Sequence, residues 1–151
     1  MQKITPFLWF DGRAGEAAAF YTAIFKNSKI VNASTLPDGT MITGTIVLDG
    51  QEFMLLDGGP MFKFTEAISL FVKCETQEEV DELWEKLSEG GQPSRCGWLK
   101  DKFGLSWQIV PNALGRLMGD PDRKKAQAVM AAMMQMGKIE IAKLQEAYDN
   151  A

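Results

Sequence analysis

Apolar and polar residues alternate along the first third of the chain in a pattern that predicts the order β-α-β-β-β. Strands are expected at residues 4–10, 29–35, 41–48 and 51–56. The dipeptide Asp49-Gly50 joins the last two as a tight hairpin of the primed type. Between the first two strands, apolar side chains recur at helical spacing and predict an amphipathic helix. These are Ala14, Ala17, Ala18, Tyr21, Ile24 and Phe25.

The same order of elements follows a second time. Residues 67–74 predict a strand, and the capping-box spacing of Thr76 and Glu79 predicts the start of a helix. The apolar residues of that helix share one face, namely Val80, Leu83, Trp84 and Leu87. Weak strands are expected within residues 92–100. The alternating stretch 105–110 predicts the last strand, and Pro111 ends it because proline has no N–H to donate.

The chain therefore contains a diverged duplication, in which residues 50–55 correspond to residues 104–109. Two such units, each too small to bury both faces of its sheet, are expected to pair and share a cavity. One face of these strands is apolar and is expected to pack against the helices, namely at Leu8, Phe10, Phe53, Leu55, Leu70, Val72, Trp107 and Ile109. The opposite face is mixed. The mixed face comprises Thr5, Phe7, Trp9, Glu52, Met54, Leu56, Ser69, Phe71, Lys73, Ser106, Gln108 and Val110. A ligand cavity has such a lining, and a solvated sheet face is the alternative.

The residues after Pro111 lie outside the duplication. Asp120 and Pro121 predict an N-cap and a first helical turn. The helix that follows has an apolar, methionine-rich stripe, made of Ala126, Val129, Met130, Met133 and Met134. We expect this stripe to pack on the domain or on a second subunit, because methionine commonly fills irregular cores. A further helix is expected at residues 139–148.

Length and charge narrow the class of protein. A chain of 151 residues is the size of one ordinary domain. Its formal net charge is −4 and its basic residues are scattered, which argues against nucleic acid or a membrane as the main partner. No segment matches a signal peptide or a membrane span, so the expected compartment is the cytoplasm. Two cysteines, Cys74 and Cys96, are consistent with a reducing compartment.

The sequence contains no histidine, which excludes Ser-His-Asp and Cys-His catalysis and histidine-based metal sites. Asp57 and Glu52 are the carboxylates nearest the expected cavity. Either is a candidate general base, and a solvated acid is the alternative for both. Trp9, Phe7, Phe71 and Trp98 are candidates for an aromatic wall of the cavity or for the core.

Three stretches in order closely resemble the PhnB-like branch of the vicinal oxygen chelate superfamily: WFDGRAGEAAAFYTAIF, GGPMFKFTEAIS and CGWLKDKFGLSWQIVP. This branch groups relatives of glyoxalases and bleomycin resistance proteins that are often labelled 3-demethylubiquinone-9 3-methyltransferase. The resemblance implies an α+β fold with paired βαβββ modules in residues 1–111 (about 1–58 and 67–111) that form a cup-shaped mixed sheet. It also implies a helical extension of the same domain at residues 112–151, and a homodimer.

In metal-dependent members of the superfamily, four side chains hold a divalent cation, and the resemblance places those positions at Thr5, Met54, Ser69 and Gln108. Thioether, hydroxyl and neutral amide groups are poor ligands for such a cation. We therefore expect no metal and no cofactor. Similar proteins often have histidine after the Gly-Gly-Pro of the linker, where this chain has Met61.

The resulting hypothesis is a metal-free protein that binds a small molecule and whose reaction is unassigned. Its expected ligand-binding residues are Thr5, Phe7, Trp9, Met54, Met61, Ser69, Phe71, Trp98 and Gln108. The alternative is an enzyme of the same superfamily, either an isomerase or lyase that uses Asp57 or Glu52 or the methyltransferase of the label. The glycine-rich turn of the common S-adenosylmethionine fold is not recognisable after the first strand, so the residues themselves do not support that label.

Overall fold

Two βαβββ modules follow each other along the chain in the computed structural model, which describes residues 2–151. They belong to two units, one ending at Phe64 and the other comprising Thr65–Ala151. Each unit contains one four-stranded mixed sheet, and the second also contains three C-terminal helices. The predicted α+β fold with two βαβββ modules and a helical C-terminal segment is confirmed.

The first sheet has the strand order β1-β4-β3-β2, with β1 and β4 parallel and the other pairs antiparallel. Its module comprises β1 (Phe7–Phe10), α1 (Ala14–Ile24), β2 (Ser28–Thr35), β3 (Met41–Leu48) and β4 (Gln51–Asp57). Asp49 and Gly50 have φ angles of 48° and 85°, as a primed hairpin requires, so the predicted turn is confirmed. β1 begins three residues later than expected, immediately after Pro6, which has no N–H for a ladder.

Helix α1 covers one face of this sheet and contacts mainly β3. Its buried residues are small apart from one tyrosine: Ala14, Ala17, Ala18 and Tyr21. The strand residues predicted to face the helix are buried, namely Leu8, Phe10, Phe53 and Leu55. The alternation in β1 and β4 therefore assigned the core face correctly, which leaves Phe7, Trp9 and Met54 on the opposite, mixed face.

The second sheet repeats the topology, with the order β5-β8-β7-β6 and a parallel β5–β8 pair. Its module comprises β5 (Ser69–Cys74), α2 (Gln77–Ser88), β6 (Gln92–Pro93), β7 (Trp98–Lys100) and β8 (Ser106–Pro111). The predicted N-cap of α2 is confirmed, since the Glu79 N–H donates to Thr76 Oγ1 at 3.2 Å. The Glu79 carboxylate in turn accepts from the Glu75 N–H at 2.8 Å, which satisfies a second donor at the helix start.

A buried carboxylate organises the turn between β7 and β8. Asp101 is only 2% exposed. Its Oδ1 accepts from the N–H groups of Phe103 and Leu105 at 2.9 and 3.1 Å, and its Oδ2 accepts from the Trp107 indole N–H at 2.9 Å. Three donors stabilise the buried charge and offset its desolvation. The turn and the first core residue of β8 are therefore held by one side chain.

Three helices follow β8: α3 (Asn112–Met118), α4 (Arg123–Met133) and α5 (Ile141–Asp149). Helix α3 directly continues from Pro111 and was not predicted. The predicted N-cap at Asp120 is wrong, because Asp122 accepts from the N–H groups of Lys124 and Lys125 at the start of α4. Asp120 instead accepts the Tyr148 hydroxyl at 2.6 Å, which links the α3–α4 connection to α5.

The three helices share a core with the end of β8. It comprises Val110, Leu114, Leu117, Val129, Met136, Ile139 and Leu144. Within the predicted methionine-rich stripe, Val129 is fully buried and Met133 packs against this core, whereas Met130 and Met134 are exposed. The stripe therefore packs only in part on its own unit. Among residues 2–151, no helix is long and apolar enough to span a membrane.

We expect Asp101→Ala to lower the free energy of unfolding by about 3 kcal/mol, because it leaves two backbone N–H groups and an indole N–H unpaired. Asp101→Asn should cost less, since it loses only the acceptor opposite Trp107, and its cost should shrink further in a Trp107→Phe background. Urea denaturation measures these differences. The exposed control Glu85→Ala should change stability by less than about 0.5 kcal/mol. An equal cost for Asp101→Ala and the control would contradict this assignment.

Candidate functional site

A hydrogen bond on the mixed face of the second unit joins two residues expected to bind a ligand. The Gln108 amide Nε2 donates to Ser69 Oγ at 2.9 Å. Gln108 lies between Phe71 on β5 and Trp98 on β7, which are its partners on the two neighbouring strands. The Phe71 side chain is 53% exposed and Trp98 is half-buried. The fold therefore brings four of the nine expected residues together around one neutral polar pair.

The mixed face of the first unit places Phe7 beside Met54, its partner on β4. The Phe7 side chain is about half exposed and that of Met54 about one-third exposed. Thr5 lies two residues before Phe7, outside the paired part of β1. This face thus presents apolar surface with no polar pair like that of Gln108 and Ser69 among the described residues.

Trp9, also on this face, is held by the linker that follows β4. Its indole N–H donates to the Gly59 carbonyl at 2.8 Å, and its ring makes an edge-to-face contact with Phe62 at 4.9 Å between centroids. A Cβ at Gly58 would lie 2.5 Å from the indole ring, so only glycine allows this approach. Met61, in the same linker, is 77% exposed. Trp9 therefore supports the linker, whereas Met61 is largely exposed to solvent.

The two candidate catalytic carboxylates lie at opposite ends of β4. The Asp57 carboxylate accepts the backbone N–H of Gly12 and so closes the turn between β1 and α1. Glu52 is exposed and lies five positions before Asp57 along the strand, a separation of about 16 Å. The fold does not bring them together, and Asp57 has a structural role in the turn.

The four positions predicted to correspond to metal ligands are divided between the units, with Thr5 and Met54 in the first and Ser69 and Gln108 in the second. None of them has a charge, an imidazole or a thiolate. Within residues 2–151, no group of three or more histidine, cysteine, aspartate or glutamate side chains is placed to hold a metal ion. The hydroxyl, thioether and amide donors of Thr5, Met54, Ser69 and Gln108 do not fit a divalent cation.

A pocket of about 570 Å³ lies in the second unit beside β7. Trp98, Lys100 and Ser106 line it from the same sheet face as Gln108, and Arg95 lines it from the β6–β7 loop. Lys100 forms an ion pair with Glu66, and this hydrogen bond is the main cause that lowers the pKa of the Glu66 carboxyl. Sequence reasoning placed Ser106 on this face by alternation but missed Arg95, Lys100 and Glu66, which lie outside the well-predicted strands.

The two thiols have different surroundings. Cys74 is fully buried at the end of β5, and desolvation raises its pKa to about 12. It is therefore protonated and unreactive at neutral pH. Cys96 is half-buried in the β6–β7 loop and lines the pocket beside Arg95.

The sequence profile of a family described as 3-demethylubiquinone-9 3-methyltransferase matches residues 2–110. The chain belongs to this family. A solved PhnB protein from Bacillus cereus is 44% identical to it, with a TM-score of 0.67. That match covers 73% of this chain and 99% of the Bacillus protein. No protein of curated function matches the chain.

More distant structures share the fold. A Pseudomonas aeruginosa protein is 18% identical with a TM-score of 0.61, over 74% of this chain and 98% of its own. A fosfomycin resistance protein from Listeria monocytogenes, solved with Mn(II) and a dihydroxypropylphosphonic acid, is 18% identical with a TM-score of 0.53. The match to the Listeria protein covers 71% of this chain and 90% of that protein. The shared architecture is the vicinal oxygen chelate fold.

We expect Asp57→Ala to lower the free energy of unfolding by about 1 kcal/mol, because it removes the acceptor of the Gly12 N–H. Asp57→Asn should recover much of this loss, since an amide oxygen still accepts. Glu52→Gln, the exposed carboxylate of the same strand, should change stability by less than about 0.5 kcal/mol. Thermal and urea unfolding of the three variants test the structural role, and an unchanged Asp57→Ala variant would refute it.

Proposed function

We propose that this protein binds a small, partly apolar molecule on the mixed faces of its sheets, without a divalent metal, and acts as a homodimer in the cytoplasm. The observation that carries the proposal is the Gln108–Ser69 hydrogen bond between the rings of Phe71 and Trp98. Two aromatic side chains beside an oriented amide are the kind of lining that small-molecule sites use.

The Gln108 amide retains capacity for a ligand. A glutamine amide has two N–H donors and one carbonyl acceptor, and the bond to Ser69 uses one donor. That bond also restricts the orientation of the amide, so a ligand meets a partly preorganised group. Phe71 and Trp98 supply apolar surface on either side. These features support a ligand that combines a flat or apolar body with at least one polar group.

Metal independence is supported by the chemistry of the four corresponding positions. In this chain the Gln108 and Ser69 side chains bond to each other. Neither they nor Thr5 and Met54 have a negative charge to offset desolvation of a cation. The Listeria fosfomycin resistance protein was solved with Mn(II), and we propose that such a cation has no counterpart here.

A homodimer is supported by apolar surface that a single chain leaves uncovered. Phe7 and Phe71 on the mixed faces are about half exposed. Strand β2 is an edge strand of its sheet and exposes Ile30 and Val31. Exposed apolar edges of this kind are liabilities unless another chain or segment covers them. A second copy of the chain is the covering partner that we propose.

An enzyme that uses a carboxylate is less well supported, because Asp57 closes a turn and Glu52 is solvent-exposed. The methyltransferase activity in the family's description is a separate question. Calorimetric titration with S-adenosylmethionine answers it directly, and measurable binding would favour that activity over the proposal made here.

We expect native mass spectrometry of the purified protein to give the mass of a dimer without stoichiometric metal. Added nickel, zinc or manganese should leave the melting temperature unchanged, because a ligand stabilises a protein only when it binds the folded state. A tightly bound metal at one equivalent per chain would refute the metal-free proposal. A monomer at micromolar concentration would refute the dimer.

We expect a set of small aromatic and aliphatic fragments to give hits in ligand-observed NMR, and Gln108→Leu to weaken those hits about tenfold, as the loss of one oriented hydrogen bond predicts. Gln127→Leu is the matched control, since Gln127 is an exposed glutamine on α4. Binding that survives Gln108→Leu, or no binding at all, would contradict the proposed site.

A further inference from the structure

The mixed face of the second unit continues from Gln108 into the pocket beside β7. Trp98 is the strand partner of Gln108 and also lines the pocket. The next partners on this face are Lys100 and Ser106, which line it as well. At about 570 Å³, the pocket is in the range that small-molecule sites occupy.

Ser106 has a buried hydroxyl group without a hydrogen-bond partner in the part of the chain that the structure describes. Its side chain is fully buried, and its Oγ has no hydrogen-bond partner among the described residues. A buried hydroxyl without a partner costs free energy, so such groups are rare unless something else satisfies them. Because Ser106 lines the pocket, a molecule bound there would be the natural partner.

The charges of the pocket indicate the class of that molecule. The Lys100 ammonium is neutralised by its ion pair with Glu66. Arg95 makes no ion pair within residues 2–151, and its guanidinium donates only to the Met134 carbonyl, at 3.3 Å. One positive charge is therefore left uncompensated. A planar guanidinium suits a carboxylate, with which it forms two parallel hydrogen bonds.

The C-terminal extension, residues 112–151, holds Arg95 in place. The N–H groups of Cys96 and Gly97 donate to the carbonyls of Met136 and Gly137 at 2.8 and 2.9 Å. Gly97 has a φ of +83°, and a Cβ there would lie 2.9 Å from Ile139 Cδ1. The extension thus contacts the β6–β7 loop closely, immediately beside Arg95.

This support lies outside the part of the chain that matches the family. The family profile ends at residue 110, and the Bacillus protein is covered almost completely by 73% of this chain. The wall of the pocket that contains Arg95 therefore depends on a segment beyond the family match.

We infer that this pocket binds a small monocarboxylate with an apolar body. Arg95 binds the carboxylate, Ser106 donates or accepts a hydrogen bond at its floor, and Trp98 contacts the apolar body, while the C-terminal extension positions Arg95. The inference rests on the proposed small-molecule function and assigns it a ligand class.

The test compares carboxylates with their neutral amides on the full-length protein. The probes are benzoate with benzamide and phenylacetate with phenylacetamide, and protein NMR titration gives each Kd. We expect the carboxylates to bind about tenfold more tightly than the amides, as a charge-assisted hydrogen bond predicts. Arg95→Gln should remove this preference. Arg123→Gln is the control, because Arg123 is exposed at the start of α4 and outside the pocket.

Ser106→Ala separates a ligand role from a structural role. A hydroxyl that contributes to folding would lower the melting temperature when removed. An unpartnered one should leave the melting temperature unchanged or raise it, while the carboxylates bind several-fold more weakly. In addition, bound benzoate should slow alkylation of Cys96, which lines the pocket, whereas Cys74 is buried and stays unmodified in both states.

Two results would contradict this inference and leave the proposed function intact. In the first, the amides bind as tightly as the carboxylates. In the second, the Arg95→Gln variant keeps the wild-type affinity for benzoate. If neutral fragments bind in a Gln108-dependent way and no carboxylate does, the proposed function stands and this inference falls. If no fragment of either charge binds, both fall.

Discussion

The buried carboxylate of Asp101 is the interaction on which the second unit depends. It binds two backbone N–H groups of the β7–β8 turn and the indole of Trp107, and so sets how β8 enters the sheet. A slip of one residue would move every side chain of β8 to the other face. Trp107 and Ile109 would leave the core, and Ser106 and Gln108 would leave the mixed face. The candidate site therefore depends on the single register of β8 that this turn fixes.

The two modules have the same topology but use their mixed faces differently. In the first unit, the linker after β4 returns to Trp9 and accepts its indole N–H at Gly59, so part of that face supports the chain's own loop. In the second unit, Gln108 and Ser69 bond to each other between exposed or half-exposed aromatic rings, and a pocket opens beside them. The two sheets have the same topology. Their mixed faces differ because different segments follow β4 and β8.

The absence of histidine shapes the chemistry of both units. Neutral amide, hydroxyl and thioether groups stand at the four positions that the resemblance assigns to metal ligands, and such groups favour hydrogen bonds over cation binding. Around the pocket, charge is supplied by Arg95 and by the Lys100–Glu66 ion pair. The proposed recognition of a polar, partly apolar molecule is consistent with this distribution, and in that proposal the C-terminal extension supports Arg95.

Local signals in the sequence were sufficient for the elements and for the faces of most strands. The Asp49-Gly50 hairpin and the Thr76 cap depend on residues within four positions of each other, and β-strand alternation separates Trp107 from Gln108 without reference to any distant residue. These features were predicted correctly because short-range geometry alone decides them.

Features that depend on distant partners were decided only by the tertiary structure. Asp120, followed by Pro121, was the predicted N-cap, but Asp122 caps α4 in the folded chain and Asp120 instead binds Tyr148, 28 residues away. Val110 and Ser106, expected on a mixed face, are buried, Val110 because the C-terminal helices pack on it. Arg95 reaches the pocket through a loop bound to residues 134–137. No pattern in the sequence encodes these contacts, because each one joins segments that only folding brings together.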